Sequence, residues 1–72
     1  MNEYDIQLLW DDEAQVWIAQ NDDIPIVLEN GSLDLLMERV RIAVPELLEL
    51  NGREHEGVYL DFSTKRRVKV MA

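Results

Sequence analysis

Residues 3–32 read EYDIQLLWDDEAQVWIAQNDDIPIVLENGS, and this stretch decides the fold class. It opens with alternation: Tyr4, Ile6, Leu8 and Trp10 fall on one face, Glu3, Asp5 and Gln7 on the other. A period of two marks a half-buried strand. Asp11-Asp12-Glu13-Ala14 is an acidic turn, and residues 15–20, QVWIAQ, are β-branched and aromatic enough for a second strand. So short a connection predicts an antiparallel hairpin. Asn21-Asp22-Asp23 starts a loop, and Pro25 bars this point from a central strand interior while holding Ile24 extended. Residues 26–29, IVLE, form a short third strand that ends at the Asn30-Gly31 turn.

Downstream the period changes. Ser32 is placed to cap a helix, and Asp34 in the first turn suits the helix dipole. Leu33, Leu36, Met37, Val40, Val44, Leu47 and Leu48 follow at helical spacing, with Arg39, Arg41, Glu46 and Glu49 mostly off that stripe. One amphipathic helix of about five turns is expected, ending near Asn51-Gly52. Pro45 inside it predicts a kink near Arg41–Val44; the alternative is two short helices, the second opening at Pro45. After the polar REHE connection (residues 53–56), Val58, Leu60 and Phe62 alternate with Tyr59 and Asp61, and Val68 and Val70 alternate with Arg67, Lys69 and Met71. One long bent strand is expected there, with a closing hairpin as the alternative.

The order is therefore β-β-β-α-β: an α+β domain in which one helix covers one face of an antiparallel sheet. The other sheet face is left bare, with Trp17, Leu9, Tyr59 or their neighbours exposed on it, and uncovered apolar surface marks an interface. Trp10 continues the Tyr4–Leu8 face into the core. Trp17 has two readings. If Val16 and Ile18 face the helix, it lies on the bare face as an interface anchor; otherwise it packs in the core.

A chain of 72 residues is a single domain, residues 1–72, with a small core. With no cysteine and one histidine, it has neither disulfides nor a thiolate or multi-histidine metal site. Good packing and self-association remain as sources of stability, and a homodimer is expected. No apolar run approaches the roughly 18 residues of a membrane span, and the N-terminus lacks the basic region of a signal peptide. A cytoplasmic, soluble protein is the resulting expectation.

The net charge of −8 is unevenly spread. Residues 1–36 hold nine of the fifteen acids and none of the seven Lys and Arg residues. Such a surface repels phosphate backbones and suits a basic partner, although acids also serve plain solubility. The acids Asp11, Asp12, Glu13, Asp22 and Asp23 lie in turns, where nothing raises a carboxyl pKa for general acid–base work, and the EF-hand pattern is absent. His55 has neither Ser32 nor Ser63 in a nucleophile elbow and reads as a surface histidine. The three glycines are scattered, so there is no phosphate loop. No catalytic residue, cofactor or metal is expected. Lys65, Arg67 and Lys69 would share one face of a strand. They offer an alternative contact for RNA or a nucleotide, but they equally suit a protected sheet edge.

The acidic turn Asp11–Glu13, the aromatic strand Val16–Ala19, the D-D-I-P loop Asp22–Pro25, the helix start at Ser32 and the VPELL segment Val44–Leu48 occur in one order. Over residues 5–52 this pattern resembles the small HicB-like domains, in their short prokaryotic branch. The resemblance implies the same β-β-β-α-β fold, in a reduced RNase H-like or double-stranded-RNA-binding-like group. It also implies a role: HicB proteins are antitoxins that bind HicA, a small basic RNA-cleaving toxin, and mask its active surface. Two departures stand out. Ile26 follows the proline where HicB loops place glycine, and the C-terminal DNA-binding domain of full HicB antitoxins has no counterpart before Ala72. The resulting expectation is a non-enzymatic protein-binding module without DNA binding. Its partner surface would comprise Asp11, Asp12, Glu13, Trp17, Asp22 and Asp23.

Overall fold

The computed structural model describes residues 2–71. Strands β1 (Asn2–Asp11), β2 (Val16–Gln20) and β3 (Val27–Asn30) are followed by helix α1 (Leu33–Leu50) and strand β4 (Val58–Lys65). The expected α+β architecture and β-β-β-α-β order hold. The sheet order is β3-β2-β1-β4, with β1 antiparallel to β2 and parallel to β4. The sheet is thus mixed, not antiparallel throughout. The helix is the reason: its 18 residues run about 27 Å back along the sheet, at 1.5 Å per residue. The chain re-enters at the end where β3 began. β4 then runs parallel to β3, and two antiparallel steps make β3 parallel to β1.

Turn length sets which residues face the helix. Residues 12–15 bring Asp11 opposite Val16 and hence Trp10 opposite Trp17. Directly opposed residues share a face, so Trp17 goes where Ile6, Leu8 and Trp10 go. It packs against the core on the helix side, its ring 5.3 Å from that of Trp10 at 63°, an edge-to-face pair. The expectation of Trp17 on the bare face is therefore corrected. Val16 and Ile18 take that face instead, with Leu9 and Tyr59. Small Ala19, fully buried beside Leu8, lets the helix approach.

The core is Ile6, Leu8, Ala19, Ile24, Ile26 and the helix stripe Leu36, Val40, Val44 and Leu48. Four residues at i, i+4 spacing form one ridge down the helix. The Ser32 Oγ accepts from the Leu35 backbone N–H at 3.3 Å. The helix ends in a Schellman turn: the Arg53 N–H donates to Leu48 O, the Gly52 N–H donates to Glu49 O, and Gly52 has φ +67°. The helix is continuous through Pro45, which rules out two short helices. Proline has no N–H to offer the Arg41 carbonyl.

The last segment departs from expectation. β4 stops at Lys65, opposite Leu9, two residues short of the end of β1 at Asp11. Residues 66–71 are exposed and outside any strand. Lys65, Arg67 and Lys69 therefore do not line one strand face. No helix among the described residues is long and apolar enough to cross a membrane.

Candidate interaction surface

The open sheet face has an apolar centre and an acidic margin. Its centre is Leu9, Val16 and Ile18, half-buried by their neighbours, with Val27 beyond them 77% exposed. Around them the register places Glu3, Asp5 and Asp11 from β1, Glu29 from β3, and Tyr59, Asp61 and the basic Lys65, opposite Leu9, from β4. The helix packs on the opposite face, over β2 and β3.

The acidic turns lie at opposite ends of this face. At the β1–β2 end, the Asp11 Oδ1 accepts from the backbone N–H groups of Glu13 and Ala14. The Asp12 Oδ1 accepts from the Trp10 indole N–H at 3.2 Å. These two carboxylates therefore hold the turn, and Glu13 alone is left with no side-chain hydrogen bond among the described residues. Gln15 completes the turn at φ 58°, with its amide donating to Asp12 O at 2.6 Å.

At the other end, Asn21 organises the loop. Its Oδ1 accepts from the N–H groups of Asp23 and Ile24, and its Nδ2 donates to Asp5 O at 2.6 Å. Ile24 and Ile26 are buried on either side of exposed Pro25, and the Ile26 N–H closes on Ile24 O at 2.7 Å, a three-residue turn. Asp22 and Asp23 are thereby presented outward, beside Asp5. The structure thus joins Asp22 and Asp23 to Asp5 and separates them from the Asp11–Glu13 turn. Trp17 belongs to neither group.

Sequence reasoning missed Glu3, Asp5 and Asp61 as part of this surface. Asp5 lies directly opposite Asp61 on neighbouring strands. Directly opposed like charges destabilise a sheet. The pairing depends on the parallel β1–β4 register, which no local pattern reveals. Among the described residues no group of three or more His, Asp or Glu is arranged to hold a metal ion. Among the described residues the side-chain hydrogen bonds tie turns and caps, join Gln20 to Gln7 across β1 and β2, and pair Arg41 with Glu38 on the helix; none joins a nucleophile to a base.

A concavity of about 360 Å³ lies on the other side of the sheet, between the C-terminal half of α1 and β4. Val44, Pro45 and Leu48 form one wall and Val58, Leu60 and Phe62 the other, with Arg41, His55 and Tyr59 also lining it.

Comparison with known proteins supports the architecture. The family model for a domain of unknown function, DUF1902, matches residues 3–72. The crystal structure of hypothetical protein TTHA1013 from the extremely thermophilic bacterium Thermus thermophilus is similar, at 38% sequence identity and a TM-score of 0.82. The match covers 96% of this chain and all of that one. No curated protein matches.

Proposed function

From a chain that belongs to the DUF1902 family, whose domain has no known function, we propose a non-enzymatic protein-binding module that takes a small basic protein. The observation that carries this reading is the acid-rimmed apolar face. A partner would bury Leu9, Val16, Ile18 and Val27 beneath it, and its cations would meet Glu3, Asp5, Asp22 and Asp23. Apolar centre and charged rim are the ordinary anatomy of a protein interface. The predominantly acidic rim, with Lys65 as its cation, steers a basic partner in and disfavours acidic ones. Masking of a small basic RNA-cleaving toxin, as the HicB resemblance implies, is the partner class that fits this chemistry, in a cytoplasmic setting. The helix has no part in the contact; it braces the sheet from behind.

The test is fluorescence anisotropy of a labelled arginine-rich peptide and of a single-stranded RNA, each titrated with the protein at low salt. The peptide should bind, lose affinity as salt rises, and bind several-fold more weakly to Asp22→Asn/Asp23→Asn. The RNA curve should stay flat. One observation favours a second reading: Lys65, Arg67 and Lys69 are all exposed, two of them on a projecting segment. A rising, salt-sensitive RNA curve with a flat peptide curve would overturn the protein-binding reading and favour RNA contact by those cations.

A further inference from the structure

The segment after β4 is extended and solitary. Among the described residues, no backbone group of Arg66–Met71 makes a hydrogen bond. Val68, Val70 and Met71 are 71%, 83% and 96% exposed. The contact it makes with its own body is at its root, where the Arg66 guanidinium lies 4.1 Å from the Trp10 ring centroid. The segment carries the molecule's length. The principal axis is 51 Å against 21 and 19 Å across, and fourteen extended residues, 58–71, account for about 46 Å of that. The radius of gyration, 13.7 Å, exceeds the about 11 Å of a compact chain this size.

β4 has a complementary want. One edge pairs with β1, and among the described residues the other is an unpaired eight-residue edge, the kind that recruits another strand. The two sides of that edge differ. On the helix side it shows Val58, Leu60 and Phe62, at the mouth of the groove against Val44, Pro45 and Leu48. On the open side it shows Tyr59 and Asp61, the latter already facing Asp5. The projecting segment has the matching pattern: Val68 and Val70 on one side, Arg67 and Lys69 on the other.

We infer that a second copy of this chain covers that edge: the β4 strands of two copies pair antiparallel about a two-fold axis, and residues 66–70 of each extend the pairing along β4 of the other. Opposed residues in such a pair share a face, so the register must keep Val68 and Val70 on the groove side. With Thr64 facing Thr64 on the axis, Val68 meets Leu60, Val70 meets Val58, Arg67 meets Asp61 and Lys69 meets the Tyr59 ring. Shifting the axis to Lys65 sets two lysines face to face; shifting it to Ser63 takes Arg67 off Asp61 and carries Val70 past the start of β4 at Val58. The Thr64 register keeps both valines on β4 and Arg67 on Asp61 without opposing two lysines, and it sets Arg66 beside Phe62. It also relieves the Asp5–Asp61 repulsion twice, once per copy. The result is a continuous eight-stranded sheet with β3 at each outer edge. The interface is isologous, and so closes at two copies. It involves neither Asp22 nor Asp23, on which the test of the partner reading rests.

A Thr64→Cys substitution tests the register in a chain otherwise free of cysteine. Opposed Cα atoms in an antiparallel pair lie about 4.5–5.5 Å apart, within disulfide reach. Mild oxidation should link nearly all of the variant into a covalent dimer, while Asp34→Cys should stay unlinked. Sedimentation of the wild type should give twice the 8.4 kDa chain mass. Val68→Asp/Val70→Asp should give a folded monomer, and so should Arg67→Asp. Adding Asp61→Arg to Arg67→Asp should restore the dimer. A wild-type monomer at every concentration overturns the inference, as does a dimer in which Thr64→Cys fails to cross-link.

Discussion

Replacing Trp17 by alanine separates a core role from an interface role. Trp17 is half-buried on the helix face and pairs edge-to-face with Trp10 at 5.3 Å. A half-buried tryptophan removes on the order of 100 Å² of apolar surface from water, about 2.5 kcal/mol at 25 cal/mol per Å². The aromatic pair adds about 1 kcal/mol. The expected loss is therefore about 3.5 kcal/mol. A 72-residue domain has only about 4–11 kcal/mol of stability in total, so much of the urea range over which the protein is folded should vanish. Trp17→Phe keeps most of the area and an edge-to-face partner and should cost about 1–1.5 kcal/mol. The assay is urea unfolding followed by far-ultraviolet circular dichroism, at a protein concentration where the oligomeric state of each variant has been measured. A double-mutant cycle with Trp10→Leu should return a coupling of about 1 kcal/mol. If Trp17→Ala leaves the unfolding midpoint unchanged but abolishes binding of a partner or a second copy, the placement of Trp17 beneath the helix is refuted.

Other variants probe the supports of the fold. Asn21→Ala removes three hydrogen bonds that hold the Asp22-Asp23 loop against Asp5; a loss of about 1–3 kcal/mol is expected in urea unfolding, with faster amide exchange at Asp23 and Ile24. Gly52→Ala meets no atom within 4 Å, so its cost is the left-handed backbone alone, about 1 kcal/mol, read from the thermal midpoint. Pro45→Ala gives the Arg41 carbonyl a helical donor and should raise stability by about 1–3 kcal/mol. Glu38→Ala breaks the 3.0 Å pair with Arg41, yet both side chains are more than half exposed, so the midpoint should scarcely move.

The helix was legible from end to end because its signals are local. Ser32 starts it, Asn51-Gly52 stops it, and the Leu36-Val40-Val44-Leu48 stripe lies between. The hairpin was equally legible. The face of β2 was less so, because Val16 and Ile18 are as apolar as Trp17 and Ala19, and alternation alone does not rank them. The deciding signal was the turn: four residues between Asp11 and Val16 force Trp10 opposite Trp17. The direction of β4 is a non-local property set by the helical crossover, so the acidic grouping of Asp5 with Asp61 could not be read in advance. The Val68–Val70 alternation reads as a strand pattern in the sequence, yet residues 66–71 lie outside any strand, because no neighbouring strand among the described residues pairs with them. The acids of the first turn were visible as charges, but their hydrogen bonds to the turn backbone and to Trp10 depend on conformation. Two of the three proved to be structural.

The most direct test of the protein-binding role is native co-purification from the source organism, read by mass spectrometry. Wild type and the Asp22→Asn/Asp23→Asn variant would be compared at low and high salt. The expected result is a small basic protein in fixed ratio to the wild-type chain, lost at high salt and depleted with the variant. Recovery of the chain without such a protein, or of one retained equally by the variant and at high salt, would contradict that role.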